Sequence, residues 1–456
     1  MFKTIYMRNF LILLLLASTT LQAQYKISGS IQPVNNYKNA LLYKVEGARQ
    51  VYIRNAKIEK GIDQSMGTFE FVFNGDITPG SYRITYDLQQ GGFIDFLYNK
   101  EDVSFNINPN AEQPAITFDA SKENLLYTRF LSDLSIAQYK TDSLQIAYLK
   151  GPSKVTGEAY KSAVKNIKTI QSDYSQKANN MLVLNFIKAT DRYNAPEPAK
   201  TPKEYFSGVL THFFDNIDFK NPILFNSSFL IDRITDYVFY MNYTDDRDRQ
   251  LTLHKNAVDK VIGLIKDPKF KADVIEFLAT QFSSAKETKI VDYIISNHFE
   301  KLPASFKNEE FKNKMLSELA VAIGRTAPDF SWEEKGKTVK LSALNDAKHY
   351  VLIFYSTECP HCLREIPQFF EFMKGKDHIK VIAFAMEKTN ISWNKFTSTL
   401  PGWHHALGLG KWENKIARTY QIVSTPTYFI LDADKKIIGN PEELDDLKAG
   451  VSQLKM

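Results

Sequence analysis

Apolar and polar residues alternate in short runs from Tyr25 to about Asp119. Phe69, Phe71 and Phe73 alternate in TFEFVF, Tyr82, Ile84 and Tyr86 in SYRITY, and Val103, Phe105 and Ile107 in VSFNIN. A two-residue period sets one row of side chains on one face of a sheet. Turn signals at Pro79-Gly80, Gly91-Gly92 and Asn108-Pro109 separate the runs. The pattern predicts an antiparallel, sandwich-like β-domain over residues 24–118.

From Ser121 to about Ile323 the period becomes helical. Val258, Val261, Ile262 and Ile265 fall at i, i+3, i+4 and i+7, and Val274, Phe277, Leu278 and Phe282 form a similar stripe. These stripes read as core faces of packed helices, so residues 119–322 are expected to be all-α. The segment YNAPEPAKTPKE, 193–204, holds three prolines and reads as a loop between helices. No fixed-period repeat supports a solenoid, and no residue constellation here points to catalysis.

After Gly324 strands alternate with helices. HYVLIFYST (349–357) reads as a buried strand, followed by a helix beginning near Pro360, and IKVIAFAM (379–386) as a second strand. WENKIARTYQ (412–421) reads as a helix, TYFILDAD (427–434) as a strand with KKIIG (435–439) as its hairpin partner, and PEELDDLKAGVSQL (441–454) as a closing helix. This alternation predicts an α/β sheet over 323–456, the third folded region of a multidomain chain.

Ahead of these regions, residues 1–23 place Lys3 and Arg8 before an apolar run from Phe10 to Ala17, with a polar stretch ending in Ala23. That is the layout of a secretory signal, and the run is shorter than the roughly 20 residues that cross a bilayer. Cleavage near Ala23 is expected, leaving a soluble chain in the periplasm or another extracytoplasmic compartment. With no cysteine near the cut, a lipoprotein is not indicated. Loss of Lys3 and Arg8 reduces an already small excess of 57 Lys and Arg over 52 Asp and Glu, and no basic block with interleaved aromatics occurs, so nucleic acid is not an implied partner.

An exported chain is free to use disulfides, yet this one has two cysteines, Cys359 and Cys362, in TECPHCLREIP (357–367). A metal clip, a structural staple and a redox couple are the readings to weigh. A bridge closing so short a loop removes little unfolded-state entropy, which disfavours the staple. Zinc needs four ligands, usually from two such pairs, and no second pair exists; His404 and His405, adjacent on a strand, point to opposite faces. Cu(I) suits two thiolates better than zinc does.

The redox reading follows from position. At the junction of a strand and a helix, Cys359 caps the helix N-terminus, where unpaired N–H groups and the dipole favour a thiolate. Pro360 suits the first helical position. Cys359 is then the exposed nucleophile and Cys362, one turn in, the resolving thiol. His361 is positioned to lower the Cys359 pKa by hydrogen bond or charge, and Glu358 to raise it by like charge.

Residues 324–456 resemble thioredoxin-fold proteins of the exported TlpA/ResA type. GRTAPDFSW (324–332), the strand, CPHC, Glu365, Pro367 and STPTYFILDADKKII (424–438) stand in that family's order. The resemblance implies a proton-managing role for Glu365, a helix kink at Pro367, and a cis Pro426 lying against the cysteines. Thr425 would then offer its backbone to an extended substrate segment. Departures are Glu358, where the family commonly has Trp, and Pro-His between the cysteines, a dipeptide shared with strongly oxidising DsbA-type proteins. Ile353 stands where cytoplasmic thioredoxins carry a buried Asp, and Leu352 occupies the place of the peroxiredoxin motif proline.

The expected function is exchange of disulfides with protein substrates through the Cys359–Cys362 pair. No cofactor beyond that redox-active disulfide is expected, and a membrane or envelope redox partner is. Two other classes stay open: a Cu(I) metallochaperone using the same cysteines with His361, and a ligand-binding envelope protein, residues 24–322, with an accessory redox domain. The β-plus-helix extension resembles those found on some bacterial envelope thioredoxins.

Overall fold

The computed structural model describes residues 24–62, 64–75, 77–111 and 115–454, so the expected signal segment 1–23 lies outside the described residues. The chain divides into two compact units, one ending at Phe277 and one beginning at Leu278.

Among the described residues the first unit opens with nine strands: β1 (Tyr25–Ile31), β2 (Asn39–Glu46), β3 (Arg49–Lys57), β4 (Glu59–Lys60), β5 (Gly67–Phe73), β6 (Gly80–Asp87), β7 (Gly92–Tyr98), β8 (Val103–Asn108) and β9 (Ala115–Ala120). They form two sheets, ordered β4-β5-β1-β8-β9 and β3-β2-β6-β7. The alternating Phe69, Phe71 and Phe73 of β5, Tyr82, Ile84 and Tyr86 of β6, and Val103, Phe105 and Ile107 of β8 all enter one buried cluster shared by both sheets. Gly29 sits beneath this aromatic layer because a Cβ there would lie 2.5 Å from the Phe69 ring and 2.6 Å from the Phe105 ring.

The expectation of a purely antiparallel domain is corrected at one pairing, since β1 runs parallel to β8 from Ile27↔Val103 to Ile31↔Ile107. These strands are far apart in sequence, and strands β2, β3, β6 and β7 of the other sheet lie between them. The hairpin constraint that enforces antiparallel neighbours does not apply to so long a connection.

Helices follow: α1 (Lys122–Lys150), α2 (Lys154–Lys177), α3 (Val183–Ala189), α4 (Pro202–Thr211), α5 (Pro222–Phe225), α6 (Ser228–Thr235), a π-helical turn over Asp236–Met241, α7 (Arg247–Leu264) and α8 (Pro268–Ser284). The predicted stripe of Val258, Val261, Ile262 and Ile265 is buried. The loop expected over 193–204 ends earlier than its prolines suggested. Pro202 opens α4, and Thr201 caps it by accepting the Glu204 N–H; a first-turn proline has no helical hydrogen bond to lose.

Strand and helix are joined by side chains that replace backbone partners. The buried Asn124 amide accepts from Leu97 N–H of β7 at 2.8 Å and donates to Leu97 O at 2.7 Å. Glu123, 2% exposed, accepts from Leu182 N–H at 3.0 Å and Val183 N–H at 2.8 Å, satisfying donors at the start of α3.

The second unit contains α9 (Thr288–Asn297), α10 (Glu309–Glu318), the hairpin β10 (Ser331–Glu334) and β11 (Lys337–Lys340), and a five-stranded sheet. Its strands are β12 (His349–Tyr355), β13 (Ile379–Glu387), β14 (His404–Leu409), β15 (Thr427–Asp432) and β16 (Ile437–Gly439), ordered β14-β13-β12-β15-β16. β12 is central, parallel to β13 and antiparallel to β15. Helices α11 (Pro360–Met373), α12 (Ile391–Thr397), α13 (Lys415–Thr419) and α14 (Leu444–Ser452) complete it. The helix expected over 412–421 is shorter, because a 3-10 turn at Lys411–Glu413 precedes Asn414, whose side chain caps α13.

Both faces of the sheet are covered. Val351, Ile353 and Tyr355 of β12 join Cys362, Ile366 and Phe369 of α11 in one cluster, while Tyr350, Leu352 and Phe354 join Phe330, Trp332 and Phe384 in the other. A central strand buried on both faces reads as a continuous apolar run. Among the described residues, no helix is long and apolar enough to cross a membrane.

Candidate functional site

The C-terminal end of β12 delivers the chain through Ser356, Thr357 and Glu358 to Cys359, the N-cap of α11. Pro360 occupies the first turn, as expected. Both cysteines are free thiols; Cys359 is partly exposed and Cys362 buried. The Cys362 N–H donates to Cys359 Sγ at 3.4 Å, and the Cys359 thiol donates to Thr425 O at 3.2 Å.

This placement makes the two thiols unequal. Burial alone raises Cys359, but hydrogen bonds from the Cys362 thiol and N–H, together with the His361 backbone N–H, outweigh it and hold the group below an ordinary thiol. Cys362 is pushed up to about 12, first by burial and then by its hydrogen bond to Cys359.

The Thr425–Pro426 peptide bond is cis, and the Thr425 carbonyl faces Cys359. Residue Glu365 lies one turn beyond Cys362 and is held from two sides. Tyr428 O–H donates to its Oε2 at 3.0 Å, and Arg364 Nη2 donates to its Oε1 at 3.1 Å. Pro367 lies inside α11.

The tuning residues are arranged differently from expectation. The His361 ring turns to Arg364, whose Nη2 lies 2.8 Å from Nδ1. Since a guanidinium only donates, Nδ1 accepts, and the histidine acts on Cys359 through its backbone N–H. Glu358 forms an ion pair with Lys411, and that hydrogen bond holds its carboxyl below the usual range. The repulsion expected from Glu358 is therefore countered by a cation.

Lys411, Tyr428 and Arg364 were not singled out from the sequence. Tyr428 was legible in part, because it alternates with Thr427 two residues after Pro426 on a buried strand. Lys411 reaches the site from the turn after β14 and carried no local signal. His404 and His405 do point apart, as expected: His404 meets Glu334 at 2.9 Å and Asp346 at 3.1 Å, while His405 meets Leu400 O at 3.0 Å. Among the described residues, no group of three or more His, Cys, Asp or Glu side chains is placed to hold a metal ion.

Two clefts border the pair. One of about 190 Å³ is lined by Cys359, Ser356, Glu358, Met386, Lys411, Trp412 and Thr425. The other, of about 630 Å³, runs past His361, Arg364, Glu365, Thr425 and Pro426 to Glu442 and Glu443. A nucleophilic thiol at the mouth of a cleft, with a buried second thiol behind it, is equipped for thiol–disulfide exchange.

Residues 323–439 match the AhpC/TSA family. The chain is 31% identical over 119 residues to the thiol-disulfide oxidoreductase ResA of Bacillus thuringiensis (strain Al Hakam), covering 25% of this chain and 67% of that protein. It is 26% identical over 151 residues to ResA of Geobacillus thermodenitrificans (strain NG80-2), covering 32% of this chain and 85% of that protein. Among solved structures, a domain of a possible thiol-disulfide isomerase from Cytophaga hutchinsonii is 27% identical, with a TM-score of 0.26, over 29% of this chain and 91% of that one. A thioredoxin-like protein from Bacteroides caccae, 16% identical with a TM-score of 0.26, covers 57% of this chain and 97% of that one.

Proposed function

This chain belongs to the TlpA/ResA-like thiol–disulfide oxidoreductases, and we propose that it works outside the cytoplasm, exchanging disulfides with protein substrates through Cys359 and Cys362. The observation that carries the reading is the inequality of the thiols, one partly exposed and shifted down, the other buried and pushed up to about 12. Cys359 forms the mixed disulfide, and Cys362 displaces the partner from it. No cofactor beyond this pair is invoked.

Glu365, held by Tyr428, takes part in proton handling for the pair. Thr425 and Pro426 dock an extended segment of the substrate, whose N–H replaces the Cys359 thiol at the Thr425 carbonyl. Pro360 presets the helix start, while His361, through its backbone, and Glu358, through Lys411, tune Cys359.

Residues 1–23 act as the export signal. The change from strand to helix between Ala120 and Lys122, and from helix to α/β between Glu318 and Ser331, supports regions of 24–118, 119–322 and 323–456. The shared core of the two N-terminal sheets supports a sandwich. These first two regions choose partners, including a membrane or envelope redox protein.

The test is Cys362→Ser in cells, with mixed disulfides on Cys359 isolated from the envelope. Capture of defined thiol proteins is expected, and fewer of them after removal of residues 24–277. An empty trap sinks the exchange reading; an unchanged set after truncation sinks the partner-choice reading.

A further inference from the structure

The smaller cleft beside Cys359, about 190 Å³, is roomy enough for a single side chain. Met386, at the end of β13, lines it; this residue is 1% exposed and belongs to the apolar cluster with Phe354 and Phe384. Trp412 lines it too and is 47% exposed, so a large ring stands open to solvent next to the nucleophile. Such a ring offers a wide apolar surface to whatever covers it. The two charged side chains of the lining, Glu358 and Lys411, pair with each other, which leaves the cleft without net charge apart from the thiol.

The cleft is built in advance of any substrate. Gly410 and Lys411, with φ of 92° and 49°, turn the chain through the left-handed region after β14 and bring Lys411 and Trp412 to the site. The Gly410 N–H donates to Glu387 O at 3.0 Å, and the Glu387 carboxylate accepts the Thr357 N–H at 2.5 Å. One residue at the end of β13 thus fastens both the turn that carries Trp412 and the loop that carries Cys359. Asn414 Nδ2 donates to Leu409 O at 3.0 Å and holds the turn from its other end. A subsite fixed in this way loses little freedom when it is filled.

An extended segment is recognised by backbone hydrogen bonds, which give affinity, and by side-chain pockets, which give specificity. Thr425, whose carbonyl faces Cys359, lines both this cleft and the larger one that runs past His361 and Pro426. A segment held there sets the neighbour on one side of its cysteine at the smaller cleft. We propose that Trp412 is a specificity-determining residue of the exchange site, forming with Met386 a subsite for one uncharged aliphatic or aromatic side chain next to the substrate's reactive cysteine. The inference rests on the exchange reading above and narrows its substrates. A charged neighbour would give up its water there without gaining a free partner, because Glu358 and Lys411 already hold each other.

The test uses the full reduced chain and short capped glycine peptides with one cysteine, carrying thionitrobenzoate on that cysteine as a mixed disulfide. A single variable residue stands just before the cysteine in one series and just after it in the other. Cys359 sulfur bonds to the peptide sulfur, and thionitrobenzoate leaves as a coloured thiolate. Cys362 sulfur then bonds to Cys359 and the peptide thiol is released, so the cysteine pair is oxidised and the mixed disulfide reduced. In one of the two series, the leucine and phenylalanine peptides are expected to react at least about tenfold faster than those with glycine, glutamate or lysine. In Trp412→Ala the leucine-to-glycine ratio should fall to within about twofold, and in Trp412→Phe most of it should return. A ratio taken within one protein cancels any general change in Cys359 reactivity, which is all that a merely structural tryptophan would alter. A wild-type ratio near one in both series overturns the proposal, as does faster reaction of a charged peptide or a ratio that survives in Trp412→Ala. If the wild type releases no thionitrobenzoate from any peptide, the exchange reading itself falls.

Discussion

Lys411 does for Cys359 what no neighbour in sequence does, since it pairs with the carboxylate that precedes the nucleophile. Without it, Glu358 would oppose thiolate formation by like charge. Lys411→Met is expected to slow alkylation of Cys359 at pH 7 by a factor of about 2–5 and to make the disulfide more reducing, because a less stable thiolate destabilises the reduced form. Adding Glu358→Gln should restore both readings, which iodoacetamide kinetics and a glutathione redox titration will show.

The two thiols also set opposite pH dependences. Cys359, with its folded pKa lowered, contributes stability that is present above the unfolded value near 9.0 and lost as pH falls through the folded one. Cys362, raised to about 12, contributes stability that is present below 9.0 and lost as pH rises toward 12. Between pH 9 and 10 the reduced wild type should therefore lose about 1 kcal/mol more than Cys362→Ala, read by urea unfolding under reductant. Equal slopes would mean that Cys362 is not buried as described.

At the scale of elements, periodicity was informative wherever one face of an element meets a core. TFEFVF, SYRITY and VSFNIN are strands whose apolar rows enter one cluster. The parallel β1–β8 pair was not legible, because strand order depends on which long connections close and not on the alternation within a strand. Nor was the Asn124 amide, which serves as a strand partner for Leu97 from the first turn of α1. Asn124→Leu keeps the volume but strands both backbone groups, so a loss of about 2–4 kcal/mol is expected in denaturant unfolding. A loss under 0.5 kcal/mol would show that Leu97 finds other partners.

For the whole molecule, the question is how much chain the redox domain needs. Arg325 bonds Asp292 of α9 at 2.6 Å, Asn440 donates to Val321 O at 3.0 Å, and Gln421 donates to Ser317 O. Met315 and Leu319 are buried. A fragment of residues 278–456 should fold and reduce or oxidise a model disulfide, whereas one of 323–456 should be about 3–5 kcal/mol less stable, as losing a buried apolar residue and several hydrogen bonds implies. Thermal unfolding of the two fragments decides this, and equal midpoints would place the boundary at 322/323.

The sequence alone settled what local order controls: the three kinds of periodicity, the helix that begins at Pro360, and the difference between Cys359 as cap and Cys362 one turn in. Those features depend on residues a few positions apart, where spacing and backbone geometry leave little choice. Only the tertiary structure decided the rest of the site. Thr425 with its cis proline, expected from the family resemblance, lies against Cys359 just ahead of β15, while Tyr428, Lys411 and Glu387 meet the cysteine loop from β15, the turn after β14 and the end of β13. A charge or carbonyl acts on a thiol through distance in space, and chain folding sets that distance over tens of residues that no local pattern spans.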